Sequence, residues 1–397
     1  MINDVIDIKY RNTKDILNII RFSDGITKKA IARKTDLSFS TVTNLCQELK
    51  KIGVLSEEKQ IVKSIGRTPF TISLNFQDYC ALCIDLQLEN ILRYAITDLH
   101  NNFLVKNTID ISDKQNTLDI AKFAKELIDK SITNNSLEKK QIIGVGISVP
   151  AVFDSNDGRL VYSSVRIYEN APLKEEFIKV FNLPVYVDNI ANFYALSIYT
   201  NFPNIPNIVC MDISQGVGIG VVSEGNLVRG KNGYGTEVAH APIGDPNKKC
   251  QFCGGFGCVE TDLSMSGILG RYYPDSDSDS LYVRWEKFIE YLRTNHELAQ
   301  TISEKIGRLA GRLATILINL FDPDLFFVGG YISDLPVSIR SFFLEEVDLR
   351  CAKSRERGIK INFDQNDSEG IFIGISNTIY NGWSPTKKIN KYQLIQE

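Results

Sequence analysis

Three of the eight cysteines in this 397-residue chain fall within nine positions, at Cys250, Cys253 and Cys258, and His240, one of only three histidines, stands ten residues before the first of them. No other feature constrains the fold as tightly. One imidazole and three thiolates, with no position left over, describe a closed tetrahedral zinc site of the structural kind. Gly254, Gly255 and Gly257 let the loop close around an ion. In a reducing compartment such a cluster is a metal site more often than a disulfide framework. Structural Zn2+ held by His240, Cys250, Cys253 and Cys258 is therefore expected.

The compartment follows from what the sequence lacks. No apolar run reaches the roughly 20 residues of a membrane span. The first stretch, MINDVIDIKYRNTKD, carries charges and no apolar core of a secretion signal. A cytoplasmic protein without a membrane partner is expected. Its charge is uneven: residues 1–75 hold 13 Lys and Arg against 8 Asp and Glu, whereas the remainder holds 32 against 40. A small basic head on an acidic body fits a nucleic-acid module joined to a regulatory domain.

The head, residues 1–75, reads as a winged helix-turn-helix. Ile16, Leu17, Ile19 and Ile20 give a first helix its apolar stripe. Thr27 is a good cap for a short second helix, KKAIARKT, and Ser38 for a third, in which Val42, Leu45, Cys46 and Leu49 recur at helical spacing. Gly53 ends that helix. The front of the third helix carries Phe39, Ser40, Thr41, Thr43 and Asn44, and the hydroxyls and amide among them suit base edges in a major groove. Lys28, Lys29 and Arg33 on the second helix are candidate phosphate contacts. LSEEKQIVKSIGRTPFTISLN reads as a two-stranded wing with Arg67 near its tip, suited to a minor groove. Double-stranded operator DNA is the expected partner, bound by a homodimer or homotetramer, because one short helix reads too few bases.

From Tyr79 the periodicity changes to strands. CALCIDL, ILRYAITDL and FLVKNTIDI precede a helix near 117–132, the buried strand QIIGVGISVP, the strand PVYVD and a helix from Asn192. A first α/β lobe is expected over 76–204, completed by a C-terminal helix over 368–382. A second, over 205–367, opens with a hairpin containing a Glu-Gly-Asn turn. It continues with helices near 297–320, the strand LFFVGG and a helix near 337–350. The opening of the first lobe recurs in the second, so two related lobes with a ligand between them are expected.

The loop CGGFGCVE (253–260) and the tetrad EVAH (237–240) resemble signatures of the ROK proteins, a family of repressors, uncharacterised reading frames and sugar kinases. The similarity covers nearly the whole chain, and the winged head resembles the family's repressor branch, which includes xylose and N-acetylglucosamine repressors. Two departures stand out: Cys250 and Cys253 are three apart rather than two, and Ala239 replaces a glycine. The resemblance implies an actin-like ATPase (ribonuclease H-like) sugar-kinase fold of two lobes. It also implies a small sugar effector, hydrogen-bonded by Asn189, Glu237, His240 and Glu260.

The resemblance also marks what a kinase would need. The family's catalytic Asn-Asp-Ala-Asn stands here as Asn189-Ile190-Ala191-Asn192, so no base faces the sugar hydroxyl. Asp188 is two positions away and, by strand alternation, points elsewhere. The first phosphate loop, Asp-x-Gly-Gly-Thr in kinases, is Asp85-Leu86-Gln87-Leu88-Glu89, with both glycines lost and Glu89 where phosphate charge would lie. The second keeps Gly216, Gly218 and Gly220, which read as tight strand packing. No enzyme activity and no catalytic residue are expected. The leading reading is a sugar-responsive repressor whose lobes close on the sugar. A sugar kinase with a DNA-binding head and a zinc-stabilised interaction regulator that binds no sugar stay open beside it.

Overall fold

The computed structural model describes residues 2–21, 23, 25–59, 70–88, 90–154, 158–163, 165–274, 280–363, 369–383 and 385. The head consists of helices α1 (Ile2–Arg21), α2 (Lys28–Thr35) and α3 (Phe39–Lys51) and strands β1 (Leu55–Lys59) and β2 (Phe70–Leu74). The caps are those expected from the sequence. Thr27 Oγ1 accepts the Ala30 amide at 3.2 Å and Ser38 Oγ the Thr41 amide at 3.1 Å, each satisfying a helix-start donor. Ile16, Leu17, Ile20, Ile31, Val42, Leu45, Cys46 and Leu49 are buried together as the head's core residues. The wing pairs antiparallel from Leu55 opposite Leu74 to Lys59 opposite Phe70. Its tip, with Arg67, lies outside the described residues.

Next come β3 (Tyr79–Asp85), β4 (Ile91–Thr97), β5 (Phe103–Asp110), α4 (Thr117–Asn134), β6 (Gln141–Val149), the hairpin β7 (Ala151–Phe153) and β8 (Leu160–Ser163), α5 (Leu173–Phe181) and β9 (Val185–Asn189). The sheet order is β5-β4-β3-β6-β9. The chain continues through α6 (Ile190–Asn201), β10 (Ile208–Ile213), β11 (Val217–Ser223), β12 (Asn226–Leu227), α7 (Glu260–Leu263), α8 (Met265–Tyr272), α9 (Leu281–Thr294), α10 (His296–Phe321), β13 (Leu325–Gly329), α11 (Ser338–Arg350), α12 (Ser354–Arg357), β14 (Lys360–Phe363) and α13 (Gly370–Gly382). The second sheet runs β12-β11-β10-β13-β14, repeating the first sheet's order. The Glu-Gly-Asn turn joins β11 to β12, so two hairpins stand where one was expected; Glu224 and Gly225 hold the left-handed backbone it needs.

Two compact units result. One holds residues 1–147, 172–187 and 375–397; the other holds 148–171 and 188–374. Helix α6, assigned to the first lobe by sequence, groups with the second. The glycine face of β11 explains it. A Cβ on Gly218 would stand 2.9 Å from that of Ala191, and one on Gly220 would meet the Ala191 carbonyl, so only glycines let α6 lie this close.

The head shares the first unit with the first sheet. Arg21, at the end of α1, donates to the Leu99 carbonyl at 2.6 Å and to the Asn101 side chain at 2.8 Å, and its guanidinium lies 4.1 Å from the Tyr380 ring on α13. Tyr380 in turn donates to the Leu17 carbonyl at 3.1 Å. Burial lowers the Arg21 pKa to about 10, and the polar partners and ring compensate this buried charge. No described helix is long and apolar enough to cross a membrane.

Candidate functional site

The ligand atoms of His240, Cys250, Cys253 and Cys258 all lie within 4.8 Å of one another. Cys253 Sγ is 3.4 Å from Cys258 Sγ, and Cys250 Sγ is 3.7 Å from His240 Nδ1. Sulfurs bound to one zinc at about 2.3 Å stand about 3.8 Å apart along a tetrahedral edge, so the donor set fits such an ion. The loop is built for this convergence. The Cys250 amide donates to the Gly255 carbonyl at 2.7 Å and the Gly257 amide to the Lys248 carbonyl at 3.0 Å, with Gly254 and Gly257 at positive φ. The Gly255 amide and then the neighbouring Cys258 thiol lower the Cys253 pKa, whereas burial pushes Cys258 up to about 12.

The same loop leads into Glu260, the first residue of α7. Glu260 and Glu237 both titrate near neutrality: burial raises each to about 7, and for Glu260 the charge of Glu237 adds to the effect. Among the described residues no cation pairs with either. Gly216, just ahead of β11, faces Glu260, since a Cβ there would lie 3.3 Å from Oε1. Two residues on, Gly218 faces Ala191. The start of α6, where Asn189 Oδ1 caps the Asn192 amide at 2.8 Å, is thus aligned with Glu260 along one edge of β11. Ile190 is half-buried at this end. Burial holds the His240 pKa below its ordinary value.

The carboxylates of Asp188 and Asp85 are each paired with an arginine. Asp188 accepts Arg229 Nε at 3.0 Å and the Asn192 amide group at 2.7 Å. Asp85 accepts Arg93 Nε at 2.8 Å, a second bond from Arg93 Nη2 and the Gln87 amide at 3.1 Å. Leu86 and Gln87 are buried. Glu89 lies outside the described residues. Sequence reasoning missed Arg93 and Arg229. Arg93 had a signal, because it is the residue opposite Asp85 once the first two strands are paired.

In the head, Lys29, Arg33, Ser40 and Asn44 are exposed. Lys28 is engaged with Glu57 at 3.0 Å, an acid that also binds Lys50. Ser38 Oγ shares hydrogen bonds with Ser40 Oγ and Thr41 Oγ1, each at 2.8 Å, and Thr43 Oγ1 donates to the Phe39 carbonyl at 2.7 Å. The hydroxyls nominated for base edges are therefore tied to their own helix in the absence of DNA.

Comparison with known proteins matches residues 11–56 to a winged helix-turn-helix DNA-binding model and residues 82–347 to the ROK family model. The xylose repressor of Caldicellulosiruptor bescii is 24% identical over 379 residues, 92% of this chain and 94% of that protein. The N-acetylglucosamine repressor of Escherichia coli O6:H1 is 21% identical over 389 residues, 94% of each. A ROK family transcriptional regulator, described as a homologue of the E. coli MLC protein, superposes with a TM-score of 0.79 at 21% identity, covering 94% of this chain and 97% of that one. The ROK hexokinase of Thermus thermophilus gives 0.61 at 18%, covering 75% of this chain and 97% of that one. At such identities the structural likeness establishes the fold, a winged head followed by the actin-like kinase architecture. With its family model spanning well over half of the chain, this protein belongs to the ROK family.

Proposed function

We propose that the chain is a sugar-responsive, DNA-binding transcriptional repressor of carbohydrate-utilisation genes. It acts in the cytoplasm as a homodimer or homotetramer, carries one structural zinc and transfers no phosphate. The observation that carries this reading is the contrast between Asp85, paired with Arg93, and Glu237 and Glu260, which no cation among the described residues pairs with. A phosphate site has been closed while hydroxyl-binding acceptors stay available. Asn189, Glu237, His240 and Glu260 would bind adjacent sugar hydroxyls, since carboxylates accept and amides both donate and accept. Zinc, when bound, fixes the loop from which Glu260 projects; Cys250, Cys253, Cys258 and His240 would hold it.

On DNA, Lys29 and Arg33 contact phosphates, with Lys28 contributing less because Glu57 already holds it. Ser40, Thr41, Thr43 and Asn44 face base edges, and Arg67 serves the wing. Sugar changes DNA affinity by binding two arrangements of the chain unequally. Tyr380 on α13 meets Arg21 and the Leu17 carbonyl of the head. The relatives are named for xylose and N-acetylglucosamine, so the test begins there. Calorimetry of the zinc-loaded protein against a monosaccharide panel is paired with operator titration with and without the sugar that binds. One sugar that shifts operator affinity supports the reading; no heat from any sugar, or turnover of ATP with one, overturns it. Elemental analysis is expected to give one zinc per chain, lost in Cys253→Ser together with the sugar response.

A further inference from the structure

We propose that Phe39 reads the 5-methyl group of a thymine in each operator half-site; the inference rests on the DNA-binding reading above. Phe39 is the first residue of α3 and 57% exposed, a large apolar side chain left in water at the end of the helix that a winged head directs at DNA. Its neighbours cannot supply the discrimination alone. Ser38, Ser40, Thr41 and Thr43 spend hydrogen bonds on one another and on the Phe39 carbonyl. Ser40, Asn44 and Gln47 are exposed on the side of α3 opposite buried Val42, Leu45 and Leu49, and Phe39 stands in the first turn between that side and the buried stripe. Among the described residues of α3, the exposed side chains whose chemistry the helix does not use include the Phe39 ring and the Asn44 and Gln47 amides.

The major groove offers a matching apolar feature, the thymine methyl, which separates T·A from every other pair. Two further observations favour DNA over a protein surface. Lys29 and Arg33 stand exposed one turn apart on α2, and the head as a whole is basic. An apolar ring beside small hydroxyls on a basic head fits a methylated base edge inside a phosphate frame.

The experiment selects duplexes from a randomised pool with the full-length, zinc-loaded protein, then replaces each thymine of the selected site by deoxyuridine, which removes only the methyl. At one thymine per half-site the wild type is expected to bind about fourfold more weakly, the value of one buried methyl-sized group, and about fifteenfold when both half-sites are changed. Phe39→Ala should bind the thymine and uracil duplexes equally. Phe39→Leu, still apolar, should retain part of the preference, and Asn44→Ala all of it. Deoxyuridine effects that are absent, or the same in wild type and Phe39→Ala, overturn the proposal while leaving DNA binding intact. A Phe39→Ala variant unchanged on DNA but altered in self-association assigns the ring to a protein contact instead. A pool that yields no preferred sequence removes the operator reading itself, and this inference with it.

Discussion

Asp85 and Asp212 occupy the same place in two sheets of the same strand order, each buried near the end of the central strand. Their surroundings differ. Opposite Asp85 on the neighbouring strand stands Arg93, and the two form an ion pair. Opposite Asp212 stands Gly218, and the carboxyl keeps a hydrogen bond from Ser214 at 3.1 Å. Burial raises the Asp212 pKa to about 6. The space an arginine would need beside Asp212 is taken by Ala191 of α6, which the glycine face admits. One unit pairs its carboxylate with an arginine; among the described residues the other leaves its carboxylate without a cation, and helix α6 occupies the room one would need.

The largest expected consequence is at Arg93. Arg93→Ala leaves Asp85 buried and unpaired, which costs about 3–5 kcal/mol, read from urea unfolding. Adding Asp85→Asn should recover much of that loss; a single variant as stable as the wild type would erase the contrast between the two aspartates. Asp212 probes the other half. Its folded pKa lies above the unfolded 3.8, so the folded state holds the proton more tightly. Stability from this group is complete below about pH 4 and lost as pH rises through 6, up to about 3 kcal/mol. Asp212→Asn should abolish that slope and be the more stable protein at pH 8, as thermal melts across pH would record.

Glu260→Gln tests whether the second unit keeps its carboxylates for a ligand. A charged hydrogen bond contributes about 1.5–3 kcal/mol, so sugar affinity should fall about ten- to hundredfold in calorimetry with the fold intact. An unchanged affinity would leave the bare carboxylates without a sugar role. Smallest of all is the effect of Ile190→Asp. It restores a base at the kinase position, yet phosphate transfer should stay at background in a coupled ATP assay, because Arg93 still closes the first loop. Turnover there would mean that a single side chain separates this chain from the kinases.

The head was legible almost residue by residue, because caps and turns are local: Thr27, Ser38 and Gly53 act within four positions of themselves. The His/Cys cluster was legible for a similar reason, because its four members fall inside 19 residues. The repeated sheet order was visible only as a recurrence of strand-like openings. The lobe boundary was not, since it depends on which sheet α6 packs against. That is decided by Ala191 meeting Gly218 and Gly220, residues far apart in sequence. The β7–β8 hairpin and helix α5 escaped because their apolar runs are short. Lys28 looked like a free cation until Glu57, 29 positions later, was brought beside it.

The Arg21–Tyr380 contact bears on how regulators of this kind can be recombined. A DNA-reading cassette is often imagined as a plug that fits any sensor. Here the plug has a keyed shank: Arg21 and the Leu17 carbonyl engage Leu99, Asn101 and Tyr380, more than 70 residues downstream at the nearest. A chimera joined after the wing would graft a new reader onto a socket cut for the old one. Moving the shank and its socket residues together is the condition for a transplanted reader to stay under the command of the sensor.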